Sequence, residues 1–64
     1  MYKRIRDLRE DRDLNQAQVA AMINVSQPTY SRYESGQLDL PSEVLIALAK
    51  FYGVTTDYIL GIDD

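Results

Sequence analysis

Between Asn15 and Gly36 two short helical patterns meet with only Asn24-Val25-Ser26 between them, and no other feature of the chain constrains its fold as much. Helices joined by so short a connection cross steeply, so neither can bury every side. Asn15 is a good N-cap for the first of them, which turns Val19, Ala20 and Ile23 inward. Ala20 is small enough to let the next helix cross closely. Asn24 marks the corner, because Asn tolerates the left-handed backbone better than most residues with a side chain. Val25 anchors the turn and Ser26 caps the second helix. Pro28 falls in the first turn of that helix, where its missing N–H is not needed. Tyr30 and Tyr33, three apart, point to the core with Glu34 at the edge of their face, and Gly36 ends the helix. The face left over carries Gln27, Pro28, Ser31, Arg32 and Ser35.

Three more helices are predicted around this pair. The first runs from about Tyr2 to Arg12, with Ile5 and Leu8 as its apolar positions and Arg9 and Arg12 on the same stripe. Lys3/Asp7 and Arg6/Glu10 are spaced as pairs one turn apart on its other faces. Most of these charges read as a solvated surface, but Arg9 lies beside Leu8 at the core edge and needs an anionic partner. After the loop Gln37-Leu38-Asp39-Leu40, Pro41 opens a helix whose apolar stripe is Val44, Leu45, Leu48, Ala49 and Tyr52, and Gly53 stops it. Thr55 caps a last short helix containing Tyr58, Ile59 and Leu60, closed by Gly61. With no internal repeat, linker or low-complexity tract, residues 1–64 form one all-α domain, a compact five-helix bundle.

Composition excludes more than it proposes. The 64 residues include no histidine and no cysteine, so the commonest general base, the thiolate nucleophile and the usual zinc ligands are missing. Asp7, Glu10, Asp11 and Asp13 are interleaved with arginines, which suits ion pairing rather than acid–base catalysis. No enzyme activity, cofactor, metal or small-molecule ligand is expected. No apolar leader or membrane-length run is visible, so a cytoplasmic chain is expected. The net charge of -3 argues against a phosphate-binding surface. Its distribution softens the objection: Lys3, Arg4, Arg6, Arg9, Arg12 and Arg32 all precede residue 39, whereas residues 39–64 set Lys50 alone against Asp39, Glu43, Asp57, Asp63 and Asp64.

A helix fits the major groove of DNA, where each base pair shows its own donor and acceptor pattern. Gln27, at the start of the outward face, has the amide that pairs twice with adenine, and Arg32 has the fork that pairs twice with guanine. Ser31 and Ser35 allow close approach, and Pro28 offers an apolar contact to a thymine methyl.

The sequence resembles the Cro/phage-repressor type of helix-turn-helix domain, the Xre-like transcriptional regulators. The likeness runs through Ile5-Arg6-Asp7-Leu8-Arg9-Glu10, Leu14-Asn15-Gln16, Val25-Ser26-Gln27, Ser31-Arg32-Tyr33-Glu34-Ser35-Gly36 and Gly53-Val54-Thr55-Thr56-Asp57-Tyr58-Ile59-Leu60-Gly61, in order and at matching spacing. It implies a lambda-repressor-like fold that binds double-stranded operator DNA, usually as a dimer, with its third helix in the major groove. By the same resemblance Gln27, Pro28, Ser31 and Arg32 face bases, while Ser26, Thr29 and Ser35 contact phosphates or flanking groups. Gln16 takes a phosphate contact and buttresses the first residue of the reading helix. Arg9 and Glu34 fall where the family often places an ion pair. The resemblance also implies a repressor of bacterial or phage origin. Three departures stand out: Asn24 replaces the more usual corner glycine, Pro28 stands at the second position of the reading helix where many relatives have a hydrogen-bonding side chain, and the loop after the third helix carries Gln37 and Asp39 rather than bases.

A rival reading is an acidic protein-interaction module with little DNA affinity. Tyr52, Val54, Tyr58, Ile59, Leu60 and Ile62 are many apolar groups for a short C-terminal segment, and those not used in the core could form a homodimer seam.

Overall fold

The computed structural model describes residues 2–62. Asp63 and Asp64, two of the acids counted above, lie outside the described residues. Five helices follow one another: α1 Lys3–Asp11, α2 Gln16–Met22, α3 Gln27–Ser35, α4 Ser42–Tyr52 and α5 Thr56–Leu60. No strand occurs among the described residues. α1 is a residue shorter at each end than its charge pattern predicts, with Tyr2 and Arg12 as its caps.

Local chemistry sets the boundaries. Asn15 accepts from the Gln18 backbone N–H at 2.8 Å, and the Gln18 side chain accepts from the Asn15 N–H at 2.8 Å. This reciprocal capping box satisfies two backbone donors at the start of α2. Ser26 accepts from the Thr29 N–H at 3.3 Å at the start of α3, and Thr55 accepts from the Tyr58 N–H at 3.0 Å at the start of α5.

Two helices end alike without glycine. Asp13 (φ 56°) and Asn24 (φ 59°) both adopt the left-handed conformation. Around Asn24 the Asn24 N–H donates to the Ala21 carbonyl and the Val25 N–H to the Ala20 carbonyl. Around Asp13 the Asp13 N–H donates to Glu10 and the Leu14 N–H to Arg9. Each is a Schellman closure, which satisfies helix-end carbonyls and reverses the chain in two residues. The expected corner at Asn24 is therefore present, and a matching one at Asp13 joins α1 to α2.

The core is Ile5, Val19, Ala20, Tyr30, Tyr33, Val44, Leu48, Ala49, Tyr52 and Ile59, with Leu8, Ile23, Val25 and Leu45 packed half-buried against it. α2 packs on α3, α1 on α3 and α5, and α4 on α5. Ala20, 2% exposed, sits where a small side chain lets α2 and α3 approach.

Two of the α1 charges read above as solvated are engaged instead. The Arg4 guanidinium donates to the Tyr58 carbonyl at 2.9 Å and lies 4.4 Å from the centre of the Tyr58 ring. Arg12 donates to the Tyr52 carbonyl at 3.1 Å, its guanidinium 5.3 Å from the centre of the Tyr52 ring. Each brings positive charge to the carbonyl end of a helix, where the macrodipole favours it. Of the α1 pairs predicted by spacing, Arg6 and Glu10 form an exposed ion pair at 2.9 Å.

Candidate nucleic-acid interface

α3 turns two tyrosines inward, and its opposite side stays in solvent. Tyr30 and Tyr33 are buried with Glu34, whereas Ser26, Gln27, Pro28, Arg32 and Ser35 are exposed and Thr29 and Ser31 are half-buried. Gln27 is the first residue of α3 and Gln16 the first of α2. With its side chains an α-helix is about 10–12 Å across, which fits the ~12 Å width of the major groove.

The polar groups of this surface are not equally available. The Ser26 hydroxyl donates to Thr29 Oγ1 at 2.8 Å while accepting the Thr29 N–H, so its proton is engaged, whereas the Thr29 hydroxyl only accepts here and keeps its own O–H to donate. The Ser35 hydroxyl donates to the Arg32 carbonyl at 3.2 Å. Arg32 has no hydrogen-bond or ion-pair partner for its guanidinium among the described residues, so its five donors are available.

Behind α3 lies a connected set of polar groups. Arg9 Nε donates to Glu34 Oε2 at 2.7 Å and Arg9 Nη2 to Glu34 Oε1 at 3.1 Å, a bidentate pair. Arg9 Nη1 donates to the Leu14 carbonyl at 2.9 Å, so one guanidinium ties the end of α1, the approach to α2 and the end of α3. Gln16 Nε2 donates to Glu34 Oε1 at 3.3 Å, and Gln27 Nε2 donates to Gln16 Oε1 at 3.1 Å. The Arg9–Glu34 pairing follows from both residues lying at the core edge. The Gln16–Glu34 bond had no signal in the sequence, because it depends on how far α2 rolls over α3.

Burial alone would raise the Glu34 carboxyl, but Arg9 first, and then the Tyr30 hydroxyl and Gln16, outweigh it and hold the group below its ordinary value of 4.5. The Tyr30 and Tyr52 hydroxyls are buried without a well-formed hydrogen bond among the described residues, although Tyr30 is close enough to Glu34 to interact with its carboxylate. Burial first, and then the Glu34 carboxylate, push both phenols above their ordinary 10.0. The signs give a two-sided profile. A depressed carboxyl contributes stability that is present above pH 4.5 and lost as the pH falls. Raised phenols contribute stability that is complete below pH 10.0 and lost as the pH rises beyond it. Thermal melts across pH should therefore decline at both ends. The difference between wild type and Glu34→Gln should shrink in acid, and a difference that stays constant below pH 4.5 would show that Glu34 is not held ionised.

Among the described residues no group of side chains could hold a metal ion, and no helix is long and apolar enough to cross a membrane. Of the C-terminal apolar residues, Tyr52 and Ile59 are core and Val54 and Tyr58 are half-buried, while Leu60 (39%) and Ile62 (66%) remain exposed.

The helix-turn-helix family profile matches residues 5–59. The chain is 53% identical over 51 residues to the cryptic phage CTXphi transcriptional repressor RstR of Vibrio cholerae, covering 80% of this chain and 46% of that protein. It is 38% identical over 65 residues to the HTH-type transcriptional regulator YobD of Bacillus subtilis strain 168, covering 100% of this chain and 58% of that one. The chain thus spans about half the length of these curated relatives. Among solved structures it is similar to the P22 c2 repressor in complex with synthetic operator 9T. That likeness has a TM-score of 0.86 and 33% identity, and covers 95% of this chain and 92% of the other. Five helices in this order, a profile match over most of the chain and relatives of this similarity have one meaning: the protein belongs to the Cro/phage-repressor type, or Xre-like, helix-turn-helix family.

Proposed function

We propose that the chain is a sequence-specific, double-stranded-DNA-binding transcriptional regulator, a repressor that places α3 in the major groove. The observation that carries this reading is the split of α3, with both tyrosines in the core and Gln27, Pro28 and Arg32 in solvent. The repressor names of its relatives, and the operator bound by the P22 c2 repressor, support it. Gln27, Pro28, Ser31 and Arg32 face base edges. Gln16, Ser26, Thr29 and Ser35 border the phosphates, where the N–H groups at the starts of α2 and α3 add to a sparse set of cations. With no added base in the loop after α3, binding depends on salt less steeply than for a strongly basic repressor.

Two copies sit on half-sites about one helical turn apart, ~34 Å, and exclude polymerase from the promoter. Leu60 and Ile62, exposed at the C-terminal end, form the seam between them. The chain acts in the bacterial cytoplasm and catalyses no reaction. A second reading, an acidic module that binds protein instead of DNA, draws on the same two residues.

Selection of bound duplexes from a randomised pool at low salt separates the two readings: the regulator enriches a short, palindromic sequence, and the interaction module enriches none. On the selected duplex, Gln27→Ala and Arg32→Ala should each weaken binding by about 1–3 kcal/mol and relax preference at one base pair. Wild-type binding by both variants would remove α3 from the reading role.

A further inference from the structure

An amide can occupy the same place two ways round. A half-turn about its last bond exchanges oxygen and nitrogen at little steric cost, and hydrogen bonding alone decides between them. If Gln27 reads a base, something must fix which atom it presents.

The polar set behind α3 supplies that constraint. Gln27 Nε2 donates to Gln16 Oε1, and Gln16 Nε2 donates to Glu34 Oε1. Glu34 is buried, and the bidentate guanidinium of Arg9 keeps it ionised. An ionised carboxylate can only accept, so Gln16 must turn its NH2 group toward it. The Gln16 oxygen then faces Gln27, and an oxygen also only accepts. Gln27 must therefore turn its own NH2 group toward Gln16, leaving its oxygen and one N–H for solvent. One acceptor beside one donor is the pattern that adenine complements with N6–H and N7. The carboxylate at the inner end thus dictates the direction of both hydrogen bonds.

We propose that Glu34, which reaches no base, is a positioning residue that sets through Gln16 which donor and acceptor Gln27 presents. The proposal rests on α3 being the base-reading helix. It gives the Arg9–Glu34 pair a second role: holding an acceptor-only group at the root of the relay.

The test uses ratios. For each protein, Kd is measured for the selected duplex and for duplexes carrying single base-pair changes, below the thermal transition. The base pair relaxed by Gln27→Ala defines the position read by Gln27. There wild type should discriminate on the order of tenfold or more. Glu34→Gln places a group beside Gln16 that donates as readily as it accepts, and the double variant Arg9→Met/Glu34→Met removes the acceptor while keeping the site apolar. Each variant that folds should fall to within about threefold of no preference at that base pair, while the preference at the Arg32 position is retained. Partial unfolding cancels in such ratios, so a purely structural role leaves them unmoved. Retained discrimination at the Gln27 position in a folded variant overturns the proposal.

Side-chain amide NMR without DNA gives an independent reading. The Gln27 NH2 resonances should move on substitution of Glu34, which bonds Gln16 and not Gln27, and unmoved resonances overturn the relay. If wild type enriches no duplex, the regulator reading falls and this spectrum alone decides whether the relay exists.

Discussion

Truncating Glu34 to Ala is expected to lower stability by about 3–5 kcal/mol, most of the ~5 kcal/mol that holds a domain of this size. The Arg9 and Glu34 side chains are only 14% and 6% exposed. Removing one leaves the other charged, dry and unpaired, and that penalty exceeds whatever the intact pair contributes over an apolar replacement. The loss spreads further here, because Gln16 surrenders its acceptor as well. At about 4–8 °C per kcal/mol for a small domain, the melting temperature should fall by more than ten degrees, or the chain should be unfolded at room temperature. Circular dichroism melts decide it, and a shift of only a degree or two would mean that water already reaches the pair. Arg9→Met/Glu34→Met is the informative companion. Two apolar side chains of similar volume avoid the unpaired charge, so the double variant should be far more stable than Glu34→Ala alone.

Leu48→Ala should cost about 2–5 kcal/mol. Leu48 is 0% exposed in the middle of α4, in the same buried cluster as Ile5, Tyr30 and Ile59. Its removal takes away both the transfer energy of the lost carbons and the contacts of the cavity they leave, and a bundle of five short helices has little freedom to collapse around the gap. Leu45 is one turn earlier on the same stripe but only half-buried, so Leu45→Ala should cost distinctly less. Urea titration of both variants checks the contrast. Equal effects at the two positions would show that α4 is rotated relative to its buried stripe.

The helix ends could be read from the sequence because each rests on one side chain bonding its own neighbours: Asn15, Ser26 and Thr55 cap, and Asn24 turns. The outward face of α3 was legible for the same local reason, as the complement of Tyr30 and Tyr33. Arg9 and Glu34 needed one step more, two unlike charges each at the margin of an apolar stripe. What periodicity cannot supply is reach. Arg4 and Arg12 find carbonyls of Tyr58 and Tyr52 far along the chain, and a stripe shows which way a side chain leaves its helix but not where a long one lands. The Asp13 corner was open to the same argument as Asn24, since Asp also tolerates the left-handed region, but a charged run hid it. The buried tyrosine hydroxyls depend on the tight closure of the bundle, and no local rule anticipates them.

The turn at Asn24 has one more implication. Its two closing hydrogen bonds are internal to the backbone, and Ala20, which accepts one of them, is itself in the core, so the angle between α2 and α3 is settled by packing. If α3 reads DNA as proposed, it does so as a rod whose tilt folding has already set, and the ordering entropy that a flexible reader would lose at the moment of contact has been spent in folding.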